Sequence, residues 1–253
     1  MTKLNTIFTL LLLTITTPTR ADSPNVILVM SDDQGWTQTG YYGHPIADTP
    51  NLDDMANSGL RMDRFYAAAP FCVPTRATVL TGRTNARTGV LPSGAINKQE
   101  KILATAFKEA GYATGHFGKW HLSGAEDRRD TAVPASNPHN PGEYGFDYWL
   151  SKSIQFNLDP ILSRNGVIEQ FKGDGSEVIV DEALKFITEQ SKKNKPFFVL
   201  VWYSTPHRDF EASQEDVAPY RGRTDESSAL QLGELAAMDR SLGTLRQLSL
   251  IHI

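Results

Sequence analysis

Three clusters of polar residues stand at the exits of apolar runs, and one cysteine stands apart from all of them. Asn25–Met30 (NVILVM) runs into Ser31-Asp32-Asp33-Gln34-Gly35, and Phe197–Tyr203 (FFVLVWY) runs into Ser204-Thr205-Pro206-His207. The segment after Tyr112 leads to Gly118-Lys119-Trp120-His121. Adjacent carboxylates repel, so Asp32 and Asp33 invite a cation bound by hard oxygens, Ca2+ or Mg2+. The commoner use of Asp after a strand is an Asx turn or helix cap. Lys119 and His121 alternate about Trp120, which in an extended segment puts both on one face. A lysine beside a histidine can bind an anion and move a proton. Cys72-Val73-Pro74-Thr75-Arg76 is the sharpest feature. Pro74 can open a helix, which sets Cys72 near an N-terminus where free N–H groups and the dipole favour an anion, with Arg76 one turn along. The usual fate of a free cysteine is a small buried apolar residue. His207, after Pro206, is a weak signal by itself, and His44, His116, His139 and His252 have no comparable setting.

The elements that must position these residues alternate between strand and helix. Asn25–Met30 is a continuous apolar run that fits a strand buried on both faces. A helix is expected from Thr49 as N-cap, with Pro50 first and Gly59 near its end, and a second from about Pro74 to Gly82. A third carries Leu103, Ala106, Phe107 and Ala110 on one face and stops at Gly111, and Tyr112–Phe117 reads as a short strand. Residues 130–165 are rich in Pro, Asn and Gly and are expected to be loop over much of their length. Helix Ser176–Lys192, strand Phe197–Tyr203 and a last helix from Ser227 to about Leu245 follow. Buried strands separated by helices imply an α/β fold, a mostly parallel sheet flanked by helices. Ligands in such sheets bind at the carboxyl ends of strands, where the three polar clusters stand.

Composition sets the class. A chain 40% hydrophobic and 21% charged is globular. The formal charge of −4 argues against a general nucleic-acid binder. Residues 1–21 read as a secretory signal, with Lys3 in the n-region, Ile7–Ile15 as the apolar core and Thr19-Arg20-Ala21 as the cleavage site. That apolar run is too short for a stable bilayer span. Its removal takes away Lys3 and Arg20 and moves the charge from −4 to −6. The expected location is therefore exported, periplasmic or secreted, with no membrane anchor after cleavage. A lone Cys72 in an oxidising compartment then asks for a reason.

Taken together, these motifs resemble the sulfatase family of the alkaline-phosphatase-like superfamily. The resemblance rests on the Asp32-Asp33 pair after the first strand and on Cys72-x-Pro74-Thr75-Arg76 followed by Leu80-Thr81-Gly82-Arg83. Gly118-Lys119-Trp120-His121-Leu122 and a late Pro206-His207 complete it, and the match runs from Pro24 to about Arg246. Thr75 stands where the family more often has Ser, and it keeps the hydroxyl. The resemblance implies an alkaline-phosphatase/sulfatase-like fold and a sulfuric ester hydrolase acting on a sulfated carbohydrate or aryl sulfate. It implies that a formylglycine-generating enzyme oxidises Cys72 to Cα-formylglycine, whose hydrate attacks sulfur. Asp32 and Asp33, with the modified Cys72, would bind Ca2+. Arg76 would fix the formylglycine, and Lys119 would neutralise charge on the sulfate. His121 would take the proton that expels sulfate, and His207 with Lys119 would assist the leaving alcohol.

The family pattern continues with an Asp-Asn-type pair after another strand and a second lysine, and neither is present after Asp33. Residues 22–247 thus read as the N-terminal part of a catalytic domain whose C-terminal part is missing, which would leave one side of the sheet uncovered. Residues 248–253 match a translated transposase-adapter sequence used in DNA library preparation and read as a non-native tail. On that reading the fragment is expected to be inactive. The rival readings are a phosphomonoester or phosphonate hydrolase of the same superfamily and a non-catalytic sulfated-glycan binder.

Overall fold

The computed structural model describes residues 23–90, 94–124, 127–128 and 131–251; the signal segment lies outside the described residues. The strands are β1 (Val26–Met30), β2 (Ala113–Lys119), β3 (Tyr148–Lys152), β4 (Ile161–Arg164), β5 (Val167–Gln170) and β6 (Phe197–Trp202). They form one sheet in the order β1-β6-β2-β3-β4-β5. β1, β6, β2 and β3 are mutually parallel, and β4 and β5 close the far side as an antiparallel hairpin. The helices are α1 (Pro50–Ser58), α2 (Cys72–Thr81), α3 (Asn85–Thr88), α4 (Leu103–Glu109), α5 (Gly175–Lys192), α6 (Gln214–Val217) and α7 (Glu226–Ile251).

β6 shows why the chain takes three layers. Every residue of this strand is buried, and the side chains alternate between two cores. Phe197, Val199 and Val201 join the cluster made with α5 and α7, while Phe198, Leu200 and Trp202 join the cluster made with α2 and α4. A strand covered on both faces has no use for polar alternation, hence its unbroken apolar run. At the other extreme β1 is not buried on both faces as its apolar run suggested: it is the terminal strand of the sheet, none of its residues is fully buried, and Val29 is 40% exposed. A groove of about 290 Å³ follows it, lined in part by Ile27, Val29, Leu52, Met55, Met238 and Leu242.

Several boundaries differ from the sequence reading, for physical reasons. Of the described residues, 131–165 are loop over much of their length, as expected, but they also hold regular elements. β3 and β4 lie within them, with a short 3-10 turn at Pro141–Tyr144 capped by Asn140, whose side chain accepts from the Glu143 N–H. β4 and β5 meet at Asn165-Gly166, both with positive φ (47° and 93°), the signature of a two-residue hairpin turn. The strand predicted over Tyr112–Phe117 runs on to Lys119, because β3 pairs with β2 as far as Lys119 against Lys152. Helix α2 begins at Cys72 itself, ahead of Pro74, and α7 extends past Leu245 to Ile251. Thr49 stands at the N-cap of α1 but does not cap it through its hydroxyl. The Thr49 hydroxyl accepts from the Gly40 N–H and donates to Asp53, while Asp239 of α7 accepts the N–H groups of Asn51 and Leu52 at 3.1 and 2.8 Å. A carboxylate there satisfies helix donors and complements the dipole.

Candidate active site

The sheet order makes neighbours of the three strand exits flagged in the sequence, since β6 lies between β1 and β2. Backbone bonds continue the ladder past the strand ends: Tyr203 N–H donates to Met30 O at 2.9 Å, Asp32 N–H to Thr205 O at 3.0 Å. The N-terminus of α2 opens over the same edge. A cavity of about 370 Å³ lies there, lined among others by Asp32, Asp33, Phe71, Cys72, Thr75 and Arg76. That size suits a small ligand.

At its floor is a buried charge cluster. Lys119 donates to Asp32 Oδ2, and Arg76 Nη2 lies 3.5 Å from the same oxygen. Arg76 Nη1 donates to the Lys119 carbonyl at 2.7 Å, and its guanidinium lies 4.9 Å from the centre of the Trp202 ring. Asp32, Arg76 and Lys119 are 4%, 1% and 0% exposed, so these charges are settled by one another rather than by water. Burial alone would raise the Asp32 pKa, but Arg76 and Lys119 outweigh it and hold the carboxyl below its ordinary value. Burial, then the neighbouring Arg76, lowers the Lys119 ammonium against the opposing pull of Asp32. Within the buried cluster two cations meet one anion, and Asp33, exposed at the same cavity, supplies a second carboxylate.

Gly118 allows this geometry. Its φ is +109°, and a Cβ there would meet the Trp202 carbonyl oxygen at 2.0 Å, so only glycine lets β2 lie this close to β6 just before Lys119. Two residues on, His121 adopts φ 52°, unusual for a bulky side chain. The simple alternation expected of Lys119 and His121 therefore does not hold. Both side chains reach the site, but His121 does so through a left-handed turn rather than a continued strand.

His121 Nδ1 lies 3.2 Å from Cys72 Sγ. Burial first, then Lys119 and Arg76, push its pKa down to about 3, so the imidazole is neutral in ordinary solution. Cys72 is the first residue of α2 and only partly buried. Thr75 donates its hydroxyl to the Ala69 carbonyl at 2.8 Å, tying the approach loop to the first turn of α2. His207 Nε2 stands 3.5 Å from Asp33 Oδ2, and Asp33 is largely exposed with φ 57°. The structure thus brings Asp32, Asp33, Cys72, Arg76, Lys119, His121 and His207 to one edge of the sheet.

A family model described as Sulfatase matches residues 24–248. The chain belongs to the sulfatase family. Among sulfatases, N-acetylgalactosamine-6-sulfatase of Canis lupus familiaris is 32% identical over 225 residues, covering 76% of this chain and 41% of that protein. An ulvan-active sulfatase of Formosa agariphila is 32% identical over 188 residues, covering 73% of this chain and 35% of that protein. The crystal structure of Ps i-CgsB in complex with k-i-k-neocarrahexaose superposes with a TM-score of 0.81 at 25% identity, over 90% of this chain and 55% of that one. The chain spans less than half the length of these two curated relatives.

The family generally implies a metal, and the donors here meet that demand in kind but not in number. Asp32 and Asp33 offer hard oxygens, whereas Ca2+ takes six to eight oxygen ligands. No group of three or more His, Cys, Asp or Glu residues placed to hold a metal occurs among the described residues. Asp32 is moreover engaged by Lys119 and Arg76.

Some participants carried no legible signal. Trp202 supports Arg76, and its place at the end of an apolar run said only that it is buried. Gln155 and Asn157, which bond the loop bearing His207, sit in a segment without periodicity.

Proposed function

We propose that this chain is the Cys72-bearing part of an exported carbohydrate sulfatase that hydrolyses sulfate monoesters. The observation that carries the reading is the contact between Cys72 and His121 beside the Lys119–Asp32–Arg76 cluster. A nucleophile position, a neutral proton acceptor and two buried cations stand together at the ends of the strands, which is what cleavage of an anionic ester requires. The carbohydrate preference is supported by the substrates named for the relatives, N-acetylgalactosamine 6-sulfate among them.

Conversion of Cys72 to formylglycine by a formylglycine-generating enzyme, followed by hydration, would supply both an oxygen nucleophile and a second hydroxyl that permits later expulsion of sulfate. Ca2+ at Asp32, Asp33 and the oxygen derived from Cys72 would add positive charge beside the sulfate. Lys119 and Arg76 hold the anionic ester by charge, with Arg76 kept in place by Trp202 and the Lys119 carbonyl. His121 accepts a proton at Nδ1 from the group at position 72. His207 gives a proton to the departing alcohol oxygen through Nε2, the nitrogen that faces Asp33. Export through residues 1–21 would bring the chain to a compartment where sulfated polysaccharides are met.

The test is product release from matched aryl sulfate and aryl phosphate, and from a 6-sulfated N-acetylhexosamine, by protein made together with a formylglycine-generating enzyme. Sulfate release that disappears in Cys72→Ala is expected of a chain extended to the length of its relatives, and little or none of the present residues alone. Preferential phosphate release would favour the phosphomonoester or phosphonate reading, and glycan binding with neither product would favour a binder.

A further inference from the structure

The segment between β3 and β4 takes no part in that chemistry, yet it is bonded closely to the loop that presents His207. Gln155 Nε2 donates to the His207 carbonyl at 3.1 Å and to the Asp209 carbonyl at 2.8 Å. Asn157 Nδ2 donates to the same Asp209 carbonyl at 3.0 Å. Phe156, between them, is buried; its N–H donates to Ser204 Oγ at 3.1 Å, and the Ser204 hydroxyl donates to the Phe156 carbonyl. His207 N–H closes the loop onto Ser204 O at 3.3 Å.

The chemistry of the amide makes this clamp directional. A glutamine nitrogen carries two hydrogens, and each here has its own carbonyl. Turned over, the same amide would set its oxygen against two carbonyl oxygens, so the partners fix which way it faces. The platform is anchored in turn. Gly175, the first residue of α5, donates its N–H to the Asn157 carbonyl at 2.8 Å. A Cβ on Gly175 would meet the Phe156 ring at 2.6 Å, so the first turn of the helix rests directly on this segment.

We propose that Gln155, assisted by Asn157, is a positioning residue that sets His207 toward the leaving-group side of the site. His207 Nδ1 bonds the Arg208 carbonyl, so the rotation of its ring follows the backbone, and Gln155 holds the carbonyls on both sides of Arg208. Nε2 is thereby left facing Asp33. The inference rests on the reading of His207 as the group that assists the departing alcohol.

Gln155→Glu keeps the length and volume of the side chain and replaces its donor by an acceptor, so it removes the clamp without removing the packing. Two readouts decide the matter on the full chain: kinetics with two aryl sulfates whose phenols differ in pKa, and the histidine ring cross-peaks in a carbon–proton NMR correlation. A proton donor matters most when the leaving group is poor. With the poorer leaving group kcat is therefore expected to fall about tenfold, and with the better one to stay within about twofold, KM changing little for either. The His207 cross-peak should shift while those of His116 and His139 stay. Equal losses on both substrates, or an unmoved His207 in a folded variant, would overturn the proposal. If the parent releases no sulfate, the outcome expected of this part of the chain alone, the His207 cross-peak decides whether Gln155 positions the ring, and the function is tested separately on the extended chain. Should Gln155→Glu not fold, Gln155→Met, of similar length and without charge, gives the same readings.

Discussion

Lys119 and Arg76 meet on a single carboxylate, Asp32, in a place that water does not reach. A buried charge is tolerable only when matched, and removing one partner costs far more than the pair contributes. Asp32→Asn would leave two buried cations without their counter-charge. The variant is expected to lose about 3–5 kcal/mol of stability. Urea unfolding measures it, and an unchanged midpoint would contradict the assignment of the cluster as mutually neutralising. Lys119 and Arg76 are thus held in place by the fold, whether or not substrate is bound.

At the scale of elements, what was legible depended on whether the signal was local. β6 and α5 could be read because burial on both faces or amphipathic spacing is written within the element itself. β1 was legible as a strand but not in its burial, which depends on its place at the end of the sheet. α1 was legible through Pro50 and Gly59, yet its cap is Asp239, which is 188 residues away from Asn51 and could not be assigned from neighbours. The β4–β5 hairpin did carry a local signal in Asn165-Gly166, but its strands are four residues each and mixed in polarity, so the turn residues alone suggested loop. Within the site, Asp32, Cys72, Arg76 and Lys119 stood out by residue type and spacing. Gln155 and Trp202 did not, because their roles arise only when β3, β6 and α2 are brought together. Gly118 lies between these cases: it belonged to a recognisable string, but its necessity comes from the Trp202 carbonyl on the neighbouring strand.

Over the whole molecule, the buried acids of the α5–α7 side set how stability responds to pH. Glu234 is fully buried; its Oε1 accepts from the Glu211 N–H at 2.7 Å, and Oε2 has no hydrogen-bond partner among the described residues. Burial, with Asp174 and Glu211 adding to it, raises its pKa from 4.5 to about 8. Between those values the folded chain keeps a proton that the unfolded chain has released, so stability is fully present below 4.5 and is lost as pH rises to 8. Glu234→Gln, which keeps the acceptor for Glu211, should flatten that decline by an amount of the order of 4 kcal/mol across the window. Chemical unfolding at pH 5 and pH 8 checks it, and parallel slopes for parent and variant would contradict the buried-acid account. Asp174, raised to about 6 mainly by burial, adds a decline of the same sign to both proteins.

The central claim is that position 72 is a modified nucleophile, and the mass of one tryptic peptide tests it most directly. The protein is made together with a formylglycine-generating enzyme, digested, and the peptide from Phe65 to Arg76 is weighed. The expected result is a mass corresponding to an aldehyde in place of the Cys72 thiol, with trapping by a hydrazine reagent. A peptide that retains only the unmodified thiol, when a known substrate of the same enzyme is converted beside it, would contradict the account.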